Sequence, residues 1–211
     1  MNMGKIKKVS AIILAAGQGT RIGKQKMLLP WGKATILERV IDNVLLSGVS
    51  EVVVVLGYKS DEMRSRLEPN LAANPGRSKV KIITNPLFME GISSSLVCGV
   101  EELAKDSDAI MVVLGDQPQI GPDIMRKVIT AFAAGNKGIA VPSFKGQRGH
   151  PVIIDFKFKP EILVLKGDIG AREVVKFHPE DILEVDISSQ EIIRDIDTWR
   201  DYEEIKVASG A

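Results

Sequence analysis

Short apolar runs of strand length alternate along this chain with segments of helical periodicity. The clearest runs are 9–16, 52–56 and 110–114, and the last two consist mostly of β-branched residues, which favour strands. Between the first two, segment 35–47 places its apolar residues on one helical face and ends before a glycine. This alternation is typical of a mostly parallel sheet covered by helices on both faces. The sequence therefore predicts an α/β fold with three layers.

The predicted elements show no boundary between domains. We find no internal repeat, low-complexity segment or Ser/Gly linker, so we expect the 211 residues to form a single domain. In open α/β sheets, ligands bind beyond the carboxyl ends of the strands, so the candidate site lies in the segments that follow strands. The predicted strands are 10–14, 51–57, 79–84, 109–115, 137–141, 151–154 and 182–185, and the predicted helices are 35–47, 62–67, 94–104, 123–134 and 170–177, with a surface loop at 69–78.

Charge, hydropathy and cysteine content exclude several classes of function. Lys plus Arg is 28 and Asp plus Glu is 27, so the net charge of +1 gives no long-range field for nucleic acid or an anionic membrane. The apolar runs are too short to cross a bilayer, and the N-terminus lacks the extended apolar region of a signal peptide. Cys98 is the single cysteine, which excludes an intramolecular disulfide. We therefore expect a cytoplasmic protein without nucleic-acid or membrane partners.

The loop after the first strand combines small residues with positive charge. From residue 14 to residue 26 it reads Leu-Ala-Ala-Gly-Gln-Gly-Thr-Arg-Ile-Gly-Lys-Gln-Lys. Small residues let backbone N–H groups approach phosphate oxygens, and Arg21 and Lys26 supply local charge. A Walker A loop is excluded, because Gln18 and Gln25 stand where that loop needs Gly and Ser or Thr. The loop predicts a triphosphate cradle, and the alternative is an ordinary Gly-rich turn with two solvated cations.

Two acidic positions have the chemistry of a magnesium site. Asp116 follows a buried strand directly, in the sequence Gly-Asp-Gln-Pro. Asp195 and Asp197 lie near the C-terminus and point the same way if that segment is extended. Mg²⁺ prefers one or two protein carboxylates and leaves its other positions to phosphates and water, which two separate acids satisfy. The alternatives are a turn-forming Asp116 and helix capping by the later pair.

Several motifs together resemble a known superfamily. The loop at 14–26, Leu-Leu-Pro at 28–30 and Gly-Asp-Gln-Pro at 115–118 resemble the nucleotidyltransferases related to sugar-nucleotide pyrophosphorylases. Within that superfamily, Arg-Gly-His-Pro at 148–151 and Gly-Asp-Ile-Gly-Ala-Arg at 167–172 are similar to the acceptor motifs of the molybdenum cofactor cytidylyltransferases. The resemblance covers nearly the whole chain. It implies a Rossmann-like fold of the nucleotide-diphospho-sugar transferase type, with a nucleotide-binding half at about 1–120 and an acceptor-binding half at about 121–211.

The resemblance also implies a reaction. The family transfers CMP from CTP to the phosphate of molybdopterin, with Mg²⁺ as cofactor, and releases pyrophosphate and molybdopterin cytosine dinucleotide. The Ala-Ala-Gly start of the loop is similar to CTP-using members. The implied protein partner is a molybdenum hydroxylase or its insertion chaperone. The chain departs from the family at 198–201, where Thr-Trp-Arg-Asp replaces the usual Thr-Pro-Glu-Asp.

Roles are carried over from the family position by position. The implied catalytic residues are Arg21, Lys26 and Asp116, and the implied metal ligands are Asp116 and Asp195, with Asp197 as a substitute for Asp195. Ser94 precedes a predicted helix and is expected to touch the nucleotide, although N-capping explains its position equally well. The full nucleotide-binding set is Leu14, Ala15, Ala16, Gly17, Gly19, Thr20, Arg21, Lys26 and Ser94, and the acceptor-binding set is Arg148, His150, Asp168 and Arg172.

Other functions remain open from the sequence. A nucleotidyltransferase acting on a sugar phosphate or on methylerythritol phosphate would share the loop and the acids, and only the motifs at 148–151 and 167–172 argue against it. A carrier or chaperone that binds molybdopterin without turnover is a third possibility. The joint presence of Arg21, Lys26 and Asp116 argues against a carrier, which has no evident use for a magnesium-triphosphate site. The two arginines of the acceptor set have a simpler explanation as members of surface ion pairs.

Overall fold

The computed structural model describes residues 7–19, 22 and 25–211. Within these residues the chain forms ten strands and seven α-helices, joined by short 3₁₀ turns. The strands are β1 (Val9–Ala15), β2 (Pro30–Trp31), β3 (Ala34–Thr35), β4 (Glu51–Leu56), β5 (Val80–Thr84), β6 (Ala109–Leu114), β7 (Ile139–Phe144), β8 (Gln147–Arg148), β9 (Val152–Asp155) and β10 (Ile182–Asp186). The helices are α1 (Ile36–Leu46), α2 (Ser60–Ala72), α3 (Ile92–Glu101), α4 (Pro122–Ala134), α5 (Lys159–Ile162), α6 (Arg172–Phe177) and α7 (Trp199–Ala208).

Eight of the strands form one mixed sheet that is mostly parallel. Its order is β10-β7-β9-β6-β1-β4-β5. The short strand β8 pairs with the C-terminal end of β7. β1 lies parallel to both β4 and β6, whereas β9 is antiparallel to both of its neighbours. The segment β5-β4-β1-β6 has the strand order of the Rossmann fold, with the first strand in the middle. This topology confirms the predicted mostly parallel sheet.

Two apolar clusters lie on opposite faces of the sheet. Successive side chains of β1 alternate between them, so that Ala11 and Ile13 enter one cluster and Ile12 and Leu14 enter the other. Helices α1, α2, α4 and α7 cover the first face, and α3, α5 and α6 cover the second. The predicted three-layer architecture is confirmed. Among the described residues, no helix combines the length and apolar character that crossing a bilayer requires.

The structure confirms all seven predicted strands and corrects one helix. The predicted helix 62–67 extends over Ser60–Ala72, so the expected surface loop at 69–78 begins later. The helix continues through Pro69 because Leu71 packs against the same apolar cluster as Met63 and Leu67. Burial of this third apolar position offsets the backbone hydrogen bond that proline cannot make.

Two phenylalanines, one on α4 and one on α6, provide a test of which helix residues stabilise the fold. Phe132 is fully buried in the first cluster, whereas Phe177 is 63% exposed. We expect Phe132→Ala to lower the free energy of unfolding by about 3–5 kcal/mol, because it leaves a cavity in a packed core. Phe177→Ala is the matched control and is expected to cost less than about 1 kcal/mol. Urea denaturation measures both, and equal losses would contradict the assignment of the core.

Candidate active site

The parallel pairing of β1 with β6 brings two predicted motifs together. Leu14 lies opposite Leu114 in the register, and the Gly115 N–H donates to the Leu14 carbonyl at 2.9 Å. A Cβ on Gly115 would stand 3.0 Å from both the Ala15 Cβ and the Leu14 carbonyl oxygen, so this close approach favours glycine. The loop after β1 and Asp116 therefore emerge side by side at the carboxyl edge of the sheet.

Lys26 lies at the centre of an acidic group at this edge, which consists of the side chains of Asp116, Asp195 and Asp197. It begins a 3₁₀ turn (Lys26–Leu28) and is buried. Its Nζ lies 2.7 Å from Oδ2 of Asp116 and 3.4 Å from Oδ1 of Asp197. A buried ammonium group requires such partners, because leaving it unpaired would cost several kcal/mol. The structure thus brings together three residues that are far apart in the sequence.

Asp195 completes this acidic group. Its Oδ1 accepts a hydrogen bond of 2.7 Å from Nε2 of Gln117. Burial raises the pKa of Asp195, the negative charges of Asp116 and Asp197 raise it further, and the Gln117 hydrogen bond and Lys26 oppose the rise. A carboxyl group whose pKa is raised by neighbouring negative charges favours an added cation.

The acidic group fits a divalent cation of the magnesium type. Asp116 and Asp195 line a common pocket, and carboxylate oxygens are the ligand type that such a cation prefers. No group of three or more His, Cys, Asp or Glu side chains with metal-binding geometry occurs in the part of the chain that the structure describes. Mg²⁺ needs only one or two protein carboxylates, since phosphates and water complete its shell.

Helix capping near Asp197 is performed by its neighbours. The Thr198 side chain accepts from the Asp201 N–H, and the Asp201 carboxylate accepts from the Thr198 N–H, which forms a capping box at the start of α7. The Asp197 side chain approaches Lys26, although its backbone N–H joins the cap. The departure from the family's usual sequence at 198–201 therefore leaves the helix start intact.

A pocket of about 310 Å³ lies over this acidic group. From the predicted nucleotide set, its lining contains Leu14, Ala16, Gly17, Gly19 and Lys26. The predicted Thr20 and Arg21 lie outside the described residues. The pocket also contains residues that the sequence analysis missed, namely Gln25, Met27, Phe88, Gly91, Ile92 and Ser95.

Two predicted nucleotide residues do not line this pocket. Ala15 is fully buried at the end of β1. The Ser94 hydroxyl lies 2.8 Å from the Gly91 carbonyl and 2.9 Å from the Leu87 carbonyl, and it accepts from Nδ2 of Asn85. Its bonds thus hold the turn before α3, while the next residue, Ser95, lines the pocket.

A larger cavity of about 600 Å³ adjoins the first pocket. All four predicted acceptor residues, Arg148, His150, Asp168 and Arg172, line it. Its walls are otherwise mostly apolar and come from β6, β7, β9 and α6. The two pockets share Leu14, Ile92, Leu114 and Asp168, so a ligand in one lies next to a ligand in the other.

His150 is held as a neutral ring in this cavity. Burial, together with a smaller effect of the Arg172 charge, lowers the pKa of His150 to about 4 against the opposing effects of the Val112 backbone and Asp116. Its Nδ1 is buried and has no hydrogen-bond partner among the described residues. The ring therefore stays uncharged near neutral pH.

The two arginines of the acceptor set differ in their surroundings. Arg148 is exposed and forms an ion pair with Glu184, with Nη2 and Oε1 2.7 Å apart. This contact is the surface ion pair that the sequence analysis gave as the alternative explanation for Arg148. Arg172 begins α6 and lies close enough to His150 to lower the pKa of its ring.

Both acceptor motifs are fixed by close backbone contacts. A Cβ on Gly149 would collide with the Ile192 carbonyl, and the His150 N–H donates to that carbonyl at 2.9 Å. Gly91 has φ +102° and packs against Gly167, where a Cβ would also collide. The Asp168 carboxylate accepts from the Ile92 N–H at 3.3 Å. The motif at 167–172 is thereby attached to the start of α3.

Comparisons with known proteins show the family of this chain and support its fold. A profile of the MobA-like NTP transferase domain matches residues 11–182. The chain is 31% identical to the molybdenum cofactor cytidylyltransferase of Escherichia coli K12 over 194 residues, which cover 92% of this chain and 93% of that protein. It is 30% identical to the nicotine blue oxidoreductase of Paenarthrobacter nicotinovorans over 199 residues, with coverages of 90% and 92%.

The solved structures agree. The crystal structure of Rv0371c from Mycobacterium tuberculosis H37Rv is similar with a TM-score of 0.80 at 25% identity, covering 96% of this chain and 99% of that one. A structure of the same protein in complex with manganese has a TM-score of 0.77 at 24% identity, with coverages of 96% and 100%. These likenesses confirm the fold that the sequence predicted.

The coupling between Asp116 and Asp195 gives a titration test. Since the negative charge of Asp116 helps to raise the pKa of Asp195, we expect Asp116→Asn to lower it towards the ordinary carboxyl range. Carboxyl NMR shifts, recorded against pH in chelator-treated buffer, measure the change. Asp123→Asn is the control, because that carboxylate is exposed and paired with Arg126 on α4. An Asp195 pKa that stays the same in Asp116→Asn would contradict the described geometry.

Proposed function

The chain belongs to the MobA-like NTP transferase family, and on that premise we propose that it transfers CMP from CTP to the phosphate of molybdopterin. The products are molybdopterin cytosine dinucleotide and pyrophosphate, and Mg²⁺ is the cofactor. The observation that carries the proposal is the convergence of Lys26, Asp116 and Asp195 beside a cavity lined by both acceptor motifs. The relative from Escherichia coli, whose name states this activity, supports the choice of substrates.

The residues of the nucleotide pocket suit a triphosphate. Ala16, Gly17 and Gly19 present backbone close to the ligand, where N–H groups can donate to phosphate oxygens. Lys26 would exchange part of its pairing with Asp116 for the more highly charged phosphates. Asp116 and Asp195 would hold Mg²⁺, which when bound supplies charge neutralisation at the triphosphate. From the family resemblance, Arg21 adds a second cation.

The proposed reaction needs no activated nucleophile from the protein. A phosphate monoester has its second pKa near ~6, so the acceptor oxygen is already anionic at neutral pH. Attack on the α-phosphorus then depends on bringing the two substrates into line and cancelling their charge. The shared lining of the two pockets at Leu14, Ile92, Leu114 and Asp168 supports such a meeting of substrates. We expect no covalent enzyme intermediate.

The acceptor cavity has the character that a pterin phosphate requires. Its volume of about 600 Å³ falls within the usual range for small-molecule sites. Apolar walls suit a flat ring, and the neutral imidazole of His150 and the carboxylate of Asp168, which both line the cavity, suit its polar edges. Arg172 and Arg148 suit the anionic phosphate, although Arg148 must first release Glu184. We further propose a cytoplasmic location and delivery of the product to a molybdenum hydroxylase or its insertion chaperone.

Family membership does not fix the reaction by itself, because one relative of similar identity is named an oxidoreductase. The deciding experiment measures pyrophosphate release from purified protein and Mg²⁺ with CTP, GTP, ATP or UTP, each with and without molybdenum-loaded molybdopterin. Release only with CTP and the pterin supports the proposal. Release with a sugar phosphate or methylerythritol phosphate would keep the chemistry and change the acceptor. No release under any combination would favour a carrier or an unrelated reaction.

The proposed metal role of Asp116 predicts a large loss of turnover on substitution. We expect Asp116→Ala to reduce kcat by at least about 100-fold, a loss typical of removing a group that stabilises transition-state charge. Circular dichroism should show an intact fold. Asp123→Ala, which removes an exposed carboxylate of α4, is the control and should retain wild-type kcat. A folded Asp116→Ala protein with normal activity would overturn the metal assignment.

The proposed role of Arg172 predicts a selective effect on the acceptor. We expect Arg172→Gln to raise the KM for molybdopterin about 10- to 100-fold, as for the loss of a hydrogen bond to a charged group, with the KM for CTP unchanged. Arg126→Gln is the matched control, because Arg126 lies on the exposed face of α4 and does not line either pocket. Steady-state kinetics with each substrate varied in turn separates the two constants. A change confined to the KM for CTP would assign Arg172 to the other pocket.

A further inference from the structure

Two buried glutamines follow Asp116 and reach the same distant segment. Gln117 is 2% exposed and Gln119 is 8% exposed. Nε2 of Gln117 donates to Oδ1 of Asp195 at 2.7 Å and lies 3.4 Å from the Arg194 carbonyl. Nε2 of Gln119 donates to the carbonyls of Arg194 at 2.6 Å and Glu191 at 3.1 Å. The two side chains differ in one respect, since only Gln117 touches the Asp195 carboxylate.

The orientation of the Gln117 amide is fixed by these contacts. Its Oε1 is buried and lacks a hydrogen-bond partner among the described residues, as does Oε1 of Gln119. An unpaired buried oxygen destabilises the fold, so each such atom calls for an explanation. Rotating the amide would turn the oxygen towards the Asp195 carboxylate and the Arg194 carbonyl, which both repel it. The nitrogen is therefore kept on Asp195 even though the oxygen stays unpaired.

We propose that Gln117 is a positioning residue for the metal site. By holding Oδ1 of Asp195, it leaves the second carboxylate oxygen for a divalent cation beside Asp116. This inference rests on the proposed metal role of Asp195. Hydrogen bonds of this kind orient metal-binding carboxylates, and losing one typically lowers metal affinity about 10- to 100-fold. Gln119 contacts only backbone carbonyls and supports the segment without orienting the ligand.

The test measures Mn²⁺ binding to the full chain by electron paramagnetic resonance, without nucleotide. Gln117→Met keeps the length of the side chain and removes the donor, and we expect the Kd for Mn²⁺ to rise about tenfold. Gln119→Met is the matched control. It should keep the Kd for Mn²⁺ within about twofold of wild type, even if its melting temperature falls as much as that of Gln117→Met. If Gln117→Met does not fold, Gln117→Asn serves instead, because its shorter side chain withdraws the amide from Asp195.

The same measurement in an Asp195→Asn background separates positioning from general support. If Gln117 acts through Asp195, then Gln117→Met should weaken Mn²⁺ binding no further in that background. An equal loss in both backgrounds, or the same loss from Gln119→Met, would overturn the inference. Weaker binding in Asp195→Asn without any effect of Gln117→Met would defeat the inference alone. Unchanged binding in Asp195→Asn would defeat the proposed metal role and the inference together.

Discussion

Parallel pairing of β1 with β6 determines where chemistry can occur in this molecule. Because the two strands run in the same direction and in register from Val9 opposite Ala109 to Leu14 opposite Leu114, their following loops emerge at one edge of the sheet. Gly115 then permits β6 to stay against β1 for one more residue, and Asp116 follows at once. The loop after β1 and Asp116 are thus held side by side by backbone hydrogen bonds between the two strands. Every other member of the site is placed relative to this pair.

The charge at that edge of the sheet is determined by a few neighbouring side chains. A chain with a net charge of +1 has no overall field to attract an anionic ligand, so attraction depends on individual buried groups. Lys26 is buried between Asp116 and Asp197, and Asp195 lies beside them with a raised pKa. Three carboxylates around one ammonium leave the group short of positive charge. A divalent cation would correct that shortage, and its remaining coordination positions would be open to the oxygens of a triphosphate, which is why the two are proposed to bind together.

The sequence predicted the fold well because the fold depends on local patterns. Alternating apolar periods locate the strands and most helices, and they fail at Pro69, where burial of Leu71 overrides a local signal. The proximity of Lys26 and Asp116 was also predictable, since they lie in the segments that follow β1 and β6. The proposed role of Gln117 was not predictable, because it depends on a contact with a residue 78 positions away. The neutral state of His150 likewise follows from burial that no local pattern reports.

The two pockets also explain why the chain forms one body. The nucleotide pocket takes Asp168 and Asp195 from the C-terminal half, and the acceptor cavity takes Leu14 and Ile92 from the N-terminal half. The start of α3 is the physical link, since the motif at 167–172 packs on Gly91 and accepts a hydrogen bond there through Asp168. The two proposed substrates would therefore lie on either side of a shared wall, and their meeting needs no movement of one domain against another.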